Sequence, residues 1–200
     1  MLIAFGIGLA LSGAPGPVQA ILLSESIRGG IGRGLATLAG VVATFGLLLA
    51  LTALGLSVAP PEGPAVRVLR AAGGVLLVIL AIDGIRSGGR TPVEPTARRG
   101  LPVAARGSLA ILLNPGAWIF LGSVASPLLA SVSLAGGTMV ALAAAAALLA
   151  GAGLGDATIV VIGATGLRRA NPRAGRMIRG GLAVILGFFG VSLVASAILG

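Results

Sequence analysis

Residues 107–155 form an unbroken stretch without one charged side chain. This length suffices for two membrane-spanning helices of about 20 residues each, with the less hydrophobic sequence SVSLAGG (131–137) as the turn between them. The rest of the chain agrees, since 56% of its residues are hydrophobic, 10% are charged and the mean hydropathy is +1.10. Lipid cannot satisfy exposed peptide groups, and the apolar runs are continuous instead of alternating, so we predict an all-α integral membrane protein.

The apolar runs predict six transmembrane helices in a single transmembrane domain. They cover residues 2–27, 35–59, 69–85, 107–130, 138–166 and 181–199. The first run could instead be a cleaved signal peptide, because small residues follow it. However, MLIAFGIGLA carries none of the positive charge that precedes the apolar core of such a peptide, and we favour a span.

The basic residues predict how the chain is oriented. All fourteen are arginines, and twelve lie in the first, third and fifth connections (28–34, 86–106 and 168–179). The positive-inside rule places these connections in the cytoplasm and both termini outside, in a multi-pass protein of the cytoplasmic (inner) membrane. The net charge of +9 is then explained by the membrane surface, and we expect no nucleic-acid partner.

The residue inventory excludes several kinds of site. Without cysteine or histidine, the chain has no disulfides, no thiolate metal site and no histidine-based catalysis. It also lacks an ATP-binding motif, since GGIGRG has neither the strand nor the lysine of a phosphate-binding loop. We therefore expect no enzyme activity, no catalytic residues, no metal and no cofactor.

The long third connection divides the spans into two sets of three. Residues 1–85 form the first three-helix repeat, 86–106 a cytoplasmic loop rich in Arg, Gly and Pro, and 107–200 the second repeat. Because each half has an odd number of spans, related halves must lie inverted in the membrane, as in many secondary transporters. Pro15-Gly16-Pro17 and Asn114-Pro115 interrupt the first span of each half, which predicts a binding site where the halves meet.

Polar residues near the first interruption point to the same place. Ser12, Gly16, Gln19 and Ser26 share one helix face, and a polar face in lipid should point inward. The break also frees backbone carbonyls for an ammonium group, while helix N-termini suit a carboxylate. The alternative is a kink that only serves packing. Asn114 would add an amide to the cavity, or simply cap a helix that begins at Pro115, and these two roles are compatible.

The five acidic residues fall into two groups and one exception. Glu25 precedes Arg28 by three residues, and Asp83 precedes Arg86 by three, so both should form ion pairs within their own helix at the cytoplasmic boundary, in reach of water. Glu62 and Glu94 fall in connections.

Asp156 is the exception among the acids. Its nearest arginine in sequence is Arg168, so it should lie deep in a span, where acidic residues face cavities and often relay protons. The alternative role is a protonated side chain that bonds a neighbouring helix.

Several stretches resemble the LysE/RhtB family of amino-acid exporters. They are GAPGPVQAILLSESIRGGIGRGLATLAG, LRAAGGVLLVILAIDGIRSG, ARGSLAILLNPGAWIFLG and RMIRGGLAVILGFFGVSLV, in the family's order. Two positions depart from the family pattern. Gly116 stands where the family usually has a lysine after Asn-Pro, and Val75 or Leu76 replaces an aromatic residue of the third span.

The resemblance implies a secondary exporter of amino acids or related small metabolites. We expect alternating access, coupling to protons as the partner ion, and a bilayer-embedded protein. The small residues around Gly151 and Gly155 should let helices approach closely, either within the monomer or across a homodimer. The alternatives are an exporter of cations or lipid-related cargo, and a non-transporting membrane assembly factor. The candidate substrate and translocation residues are Ser12, Pro15, Gly16, Pro17, Gln19, Asn114, Pro115 and Asp156.

Overall fold

The computed structural model describes residues 1–13, 16–56, 64–86, 101–167 and 172–199, and these are almost entirely helical, with no strand among them. The helices are α1 (Leu2–Gly13), α2 (Pro17–Ala53), α3 (Pro64–Arg86), α4 (Val103–Leu112), α5 (Pro115–Phe120), α6 (Ser126–Gly136), α7 (Thr138–Val161) and α8 (Pro172–Leu199). A π-helical segment, Leu121–Ala125, joins α5 to α6, and another, Ile162–Leu167, follows α7. The predicted all-α fold is confirmed.

Three of the described helices are long and apolar enough to cross a membrane. They are Pro17–Ala53, Pro115–Gly136 and Thr138–Gly166. Leu2–Gly13, Arg70–Ile79, Val103–Leu112 and Ala183–Ile198 are shorter apolar helices. The count of six spans therefore remains a prediction.

The first predicted span consists of two separate helices. α1 ends at Gly13 and α2 begins at Pro17, which occupies the first helical position, where the missing proline N–H costs nothing. Pro15 lies outside the described residues. The sequence predicted one interrupted helix, and the structure shows a complete break.

α2 reverses direction at Gly30. This residue has φ 74° and ψ −166°, a conformation that glycine tolerates best. In a straight helix Ser26 and Gly34 would be about 12 Å apart at 1.5 Å per residue. Instead, a Cβ on Gly34 would overlap the Ser26 side chain. The predicted first connection is thus a tight turn between two helical arms of α2, residues 17–29 and 31–53.

The second predicted interruption is also a helix break. α4 ends at Leu112, and Asn114 caps α5 by accepting a 3.0 Å hydrogen bond from the Gly116 backbone N–H. Beyond α5, helical structure continues to Gly136, and the chain turns at Gly137, where φ is 81°. The predicted turn over 131–137 was therefore wrong for all but its last residue, because those small residues continue the helix.

Close contacts at glycines join α1 to α7. A Cβ on Gly8 would overlap the carbonyl oxygen of Leu148, and a Cβ on Gly151 would overlap that of Phe5. The small residues predicted to bring helices together around Gly151 do so here within one chain.

The second arm of α2 meets α4 in the same reciprocal manner. A Cβ on Gly40 would overlap the carbonyl oxygen of Ala104, and a Cβ on Gly107 would overlap that of Thr37. If the two halves are related, α1 corresponds to α4, and the second arm of α2 corresponds to α7. The α1–α7 contact then corresponds to the contact between α4 and the second arm of α2. We therefore retain the inverted-repeat organisation as a prediction that this contact pattern supports.

Candidate functional site

The two helix breaks meet at one cavity of about 390 Å³. Its walls come from α1, both arms of α2, α4, α5, α7 and α8. Cavities that bind small molecules measure about 300–1,000 Å³, so this one suits a small ligand. The lining residues are Leu11, Ser12, Gly16, Pro17, Val18, Gln19, Val41, Phe45, Ile111, Asn114, Pro115, Gly116, Ala117, Ala152, Asp156, Phe189 and Leu193.

Most of the candidate residues named from the sequence share this cavity. The members that line it are Ser12, Gly16, Pro17, Gln19, Asn114, Pro115 and Asp156. Pro15 falls in the part of the chain that is not described. The breaks therefore bring together residues that are about a hundred positions apart in sequence.

Asp156 is the ionisable side chain among the described residues of the lining. It lies on α7, is 5% exposed, and its Oδ1 is 3.5 Å from Nε2 of Gln19 on α2. A contact of 3.5 Å is a long hydrogen bond, so Gln19 holds the carboxyl group only weakly. The arrangement leaves Asp156 accessible to a ligand in the cavity.

The start of α2 also opens onto the cavity. Gly16, its N-cap residue, is extended (φ −158°, ψ −179°) and has no side chain to accept from the first-turn amides. The N–H groups at the start of a helix have no intrahelical partner and carry partial positive charge. Val18 and Gln19, in this first turn, line the cavity.

Asn114 and Gly116 form another wall of the cavity. Asn114 Oδ1 is engaged in the helix cap, as one of its two predicted roles requires, while the residue also lines the cavity. Gly116 has no side chain, so it places no cation on this wall. The described lining therefore combines one carboxyl group with neutral amides.

Two residues of the predicted polar face are satisfied locally. Ser12 Oγ donates to the Leu9 carbonyl oxygen at 2.7 Å, and Ser26 Oγ donates to that of Leu22 at 2.6 Å. Ser12 borders the cavity, but Ser26 is not part of its lining. Ser26 is fully buried, as expected of a polar face that points inward, but it lies beyond the cavity along the helix.

The predicted environment of Glu25 was wrong. The sequence analysis expected this side chain to reach water, but Glu25 is only 2% exposed. Besides Arg28 at 4.0 Å it pairs with Arg33 and Arg106, which the sequence did not connect with it. Arg33 approaches because α2 reverses at Gly30. The side chains of Asp83 and Arg86 lie outside what is described, so their pairing remains a prediction.

Phe45 and Phe189 line the cavity although the sequence analysis did not single them out. The ring of Phe45 lies 6.1 Å from that of Phe120, between centroids. Aromatic residues make up only 3% of this chain, and this scarcity was the signal in the sequence that could have marked the two phenylalanines as candidates. Within the described parts of the chain, no three His, Cys, Asp or Glu residues come together to hold a metal ion.

The family model of the LysE type translocator matches residues 9–197. The match includes both helix breaks and every residue that lines the cavity. Neither the curated proteins nor the solved structures contain a match to the chain. The chain belongs to the LysE type translocator family, which confirms the resemblance seen in its motifs, and it is a membrane transporter.

Proposed function

We propose that this LysE type translocator exports amino acids or related small metabolites across the cytoplasmic membrane by alternating access, in exchange for protons. The observation that carries the proposal is the shared cavity, whose lining includes one buried carboxyl group and the start of α2, which has no side-chain cap. Secondary transporters with broken helices bind cargo in this kind of setting.

The cavity offers separate partners for the two charged ends of an amino acid. The ammonium group of the cargo pairs with Asp156, the acid of the described lining. Its carboxylate accepts from the backbone amides at the start of α2, where the helix dipole favours negative charge. The Nδ2 amide of Asn114 bonds the cargo from the other wall, while Phe45 and Phe189 contact its apolar part.

Asp156 also supplies the coupling between cargo and proton. Removal from water disfavours a bare carboxylate, so the empty site takes up either a proton or an ammonium group. The two compete for the same oxygens. Exchange of one for the other on opposite sides of the membrane moves cargo outward and protons inward.

Transport into sealed inside-out vesicles tests this function. A panel of radiolabelled amino acids is presented with and without an imposed proton gradient, and vesicles without the protein serve as the control. We expect gradient-dependent accumulation of at least one member. Equal accumulation with and without the proton gradient would contradict proton exchange. Transport of a cation or lipid-related cargo, with no amino acid transported, would contradict the proposed substrate class.

A further inference from the structure

A buried carboxylate joins three helical segments on the arginine-rich side of the cavity. Glu25 lies on the first arm of α2, six residues beyond Gln19, or about 9 Å along the helix. Its Oε1 accepts from Arg106 Nη1 on α4 at 3.0 Å, and its Oε2 accepts from Arg33 Nε on the second arm of α2. Glu25 therefore connects the two halves of the chain directly.

A tightly packed layer of α2 and α7 residues surrounds this cluster, and Leu22 lies between it and the cavity along α2. Leu22 and Ser26, on the same arm of α2, have no exposed surface, and neither has Val160 on α7. A Cβ on Gly34 would lie 2.6 Å from Val160 Cγ1, and one on Gly163 would lie 2.9 Å from Ser26 Cβ. Side chains packed this closely leave no passage for a small molecule between these parts of α2 and α7.

The charges make the closed arrangement depend on Glu25. The side chains of Arg33 and Arg106 are 34% and 15% exposed, and both meet the same carboxylate, which is 3% exposed. Without it, two partly desolvated guanidinium groups would face each other and repel. Arg28 differs, since its contact with Glu25 is 4.0 Å long and lies within one arm of α2.

We propose that Glu25, Arg33 and Arg106 form a gate that closes the cavity towards the arginine-rich face, and that this gate separates when cargo enters from that face. The inference rests on the proposed function for the direction of cargo movement. The contacts between the halves, the packed layer around them and the shared carboxylate carry the gate itself.

The absence of cysteine allows a direct test of the gate. A single reporter thiol, Gln19→Cys, is placed in the cavity and labelled with a membrane-impermeant maleimide applied to the arginine-rich face. We expect slow labelling with the gate intact and at least tenfold faster labelling after Glu25→Gln or Arg106→Gln. Arg106→Lys keeps the charge and should restore slow labelling, and Arg28→Gln is the matched control that should leave the rate unchanged.

Equal labelling rates in the parent, Glu25→Gln and Arg106→Gln proteins would overturn the gate, as would an equal effect of Arg28→Gln. Should Glu25→Gln fail to give folded protein, Arg106→Gln decides the question by the same readout, because Glu25 keeps Arg33 as its partner. Labelling needs no cargo. A transport panel without a substrate would therefore contradict the proposed function and leave the gate result standing.

Discussion

Replacing Gly151 by alanine should force α1 and α7 apart. The added Cβ would overlap the carbonyl oxygen of Phe5 and lie 2.9 Å from the Leu9 backbone nitrogen. Both atoms belong to the backbone of α1, so no side-chain rotation relieves the contact. Restoring a normal separation of about 3.5 Å requires the helices to move apart along their whole interface.

The expected cost follows from two opposing terms. Overpacking of this kind costs about 1–3 kcal/mol. Alanine in place of glycine within a helix stabilises the helix by up to about 1 kcal/mol. Gly153→Ala is the matched control two residues away, because its Cβ would make an ordinary 3.7 Å contact with Val42 and gain the helix term without the clash. The two variants should differ by roughly 2 kcal/mol, with Gly151→Ala the less stable.

Equilibrium unfolding of both variants in mixed detergent micelles measures this difference, with the parent protein as the reference. Gly151→Ala should unfold at a lower denaturant concentration than the parent, and Gly153→Ala at an equal or higher one. A Gly151→Ala protein as stable as Gly153→Ala would refute the close approach of α1 and α7 on which the cavity depends.

Three further predictions address the turns and the orientation. Gly30→Ala, at φ 74° and ψ −166°, should lower the free energy of unfolding by about 1–3 kcal/mol, whereas Gly32→Ala, with open space around it, should not, and unfolding curves of the two variants check this. Asn114→Ala should lose about 1 kcal/mol of capping and slow export, while Asn114→Asp keeps the cap; the same unfolding assay with vesicle transport separates the two effects. A reporter that functions only in the cytoplasm should show activity when it is fused after Arg99. Activity of a reporter that functions only in the periplasm, fused at the same residue, would contradict the predicted orientation.

The sequence could predict the all-α fold and the place of the cavity for clear physical reasons. Proline cannot continue a helix and glycine weakens one, so Pro17 and Pro115 mark both breaks without any knowledge of tertiary contacts. Asp156 lacks a neighbouring arginine on its helix, and an isolated acid in lipid must face a cavity or a partner.

Contacts between distant parts of the chain were beyond such reasoning. Glu25 and Arg106 are 81 residues apart, and nothing local distinguishes Arg106 from the other arginines. The nearby partner Arg28 was the obvious choice by helical spacing, yet the reversal at Gly30 brings Arg33 closer. Phe45 was hidden for a similar reason, because an apolar residue in an apolar helix carries no mark of the side that it faces.

Proton movement driven by cargo, through Asp156, is the central claim of this account. Purified protein in liposomes that enclose a pH-sensitive dye allows its measurement, with an amino acid found in the vesicle panel as cargo. The wild-type protein should change the internal pH when cargo is added, and Asp156→Asn, folded and equally abundant, should abolish both the pH change and cargo flux. An Asp156→Asn protein that moves cargo at the wild-type rate, with the same pH change, would contradict the account.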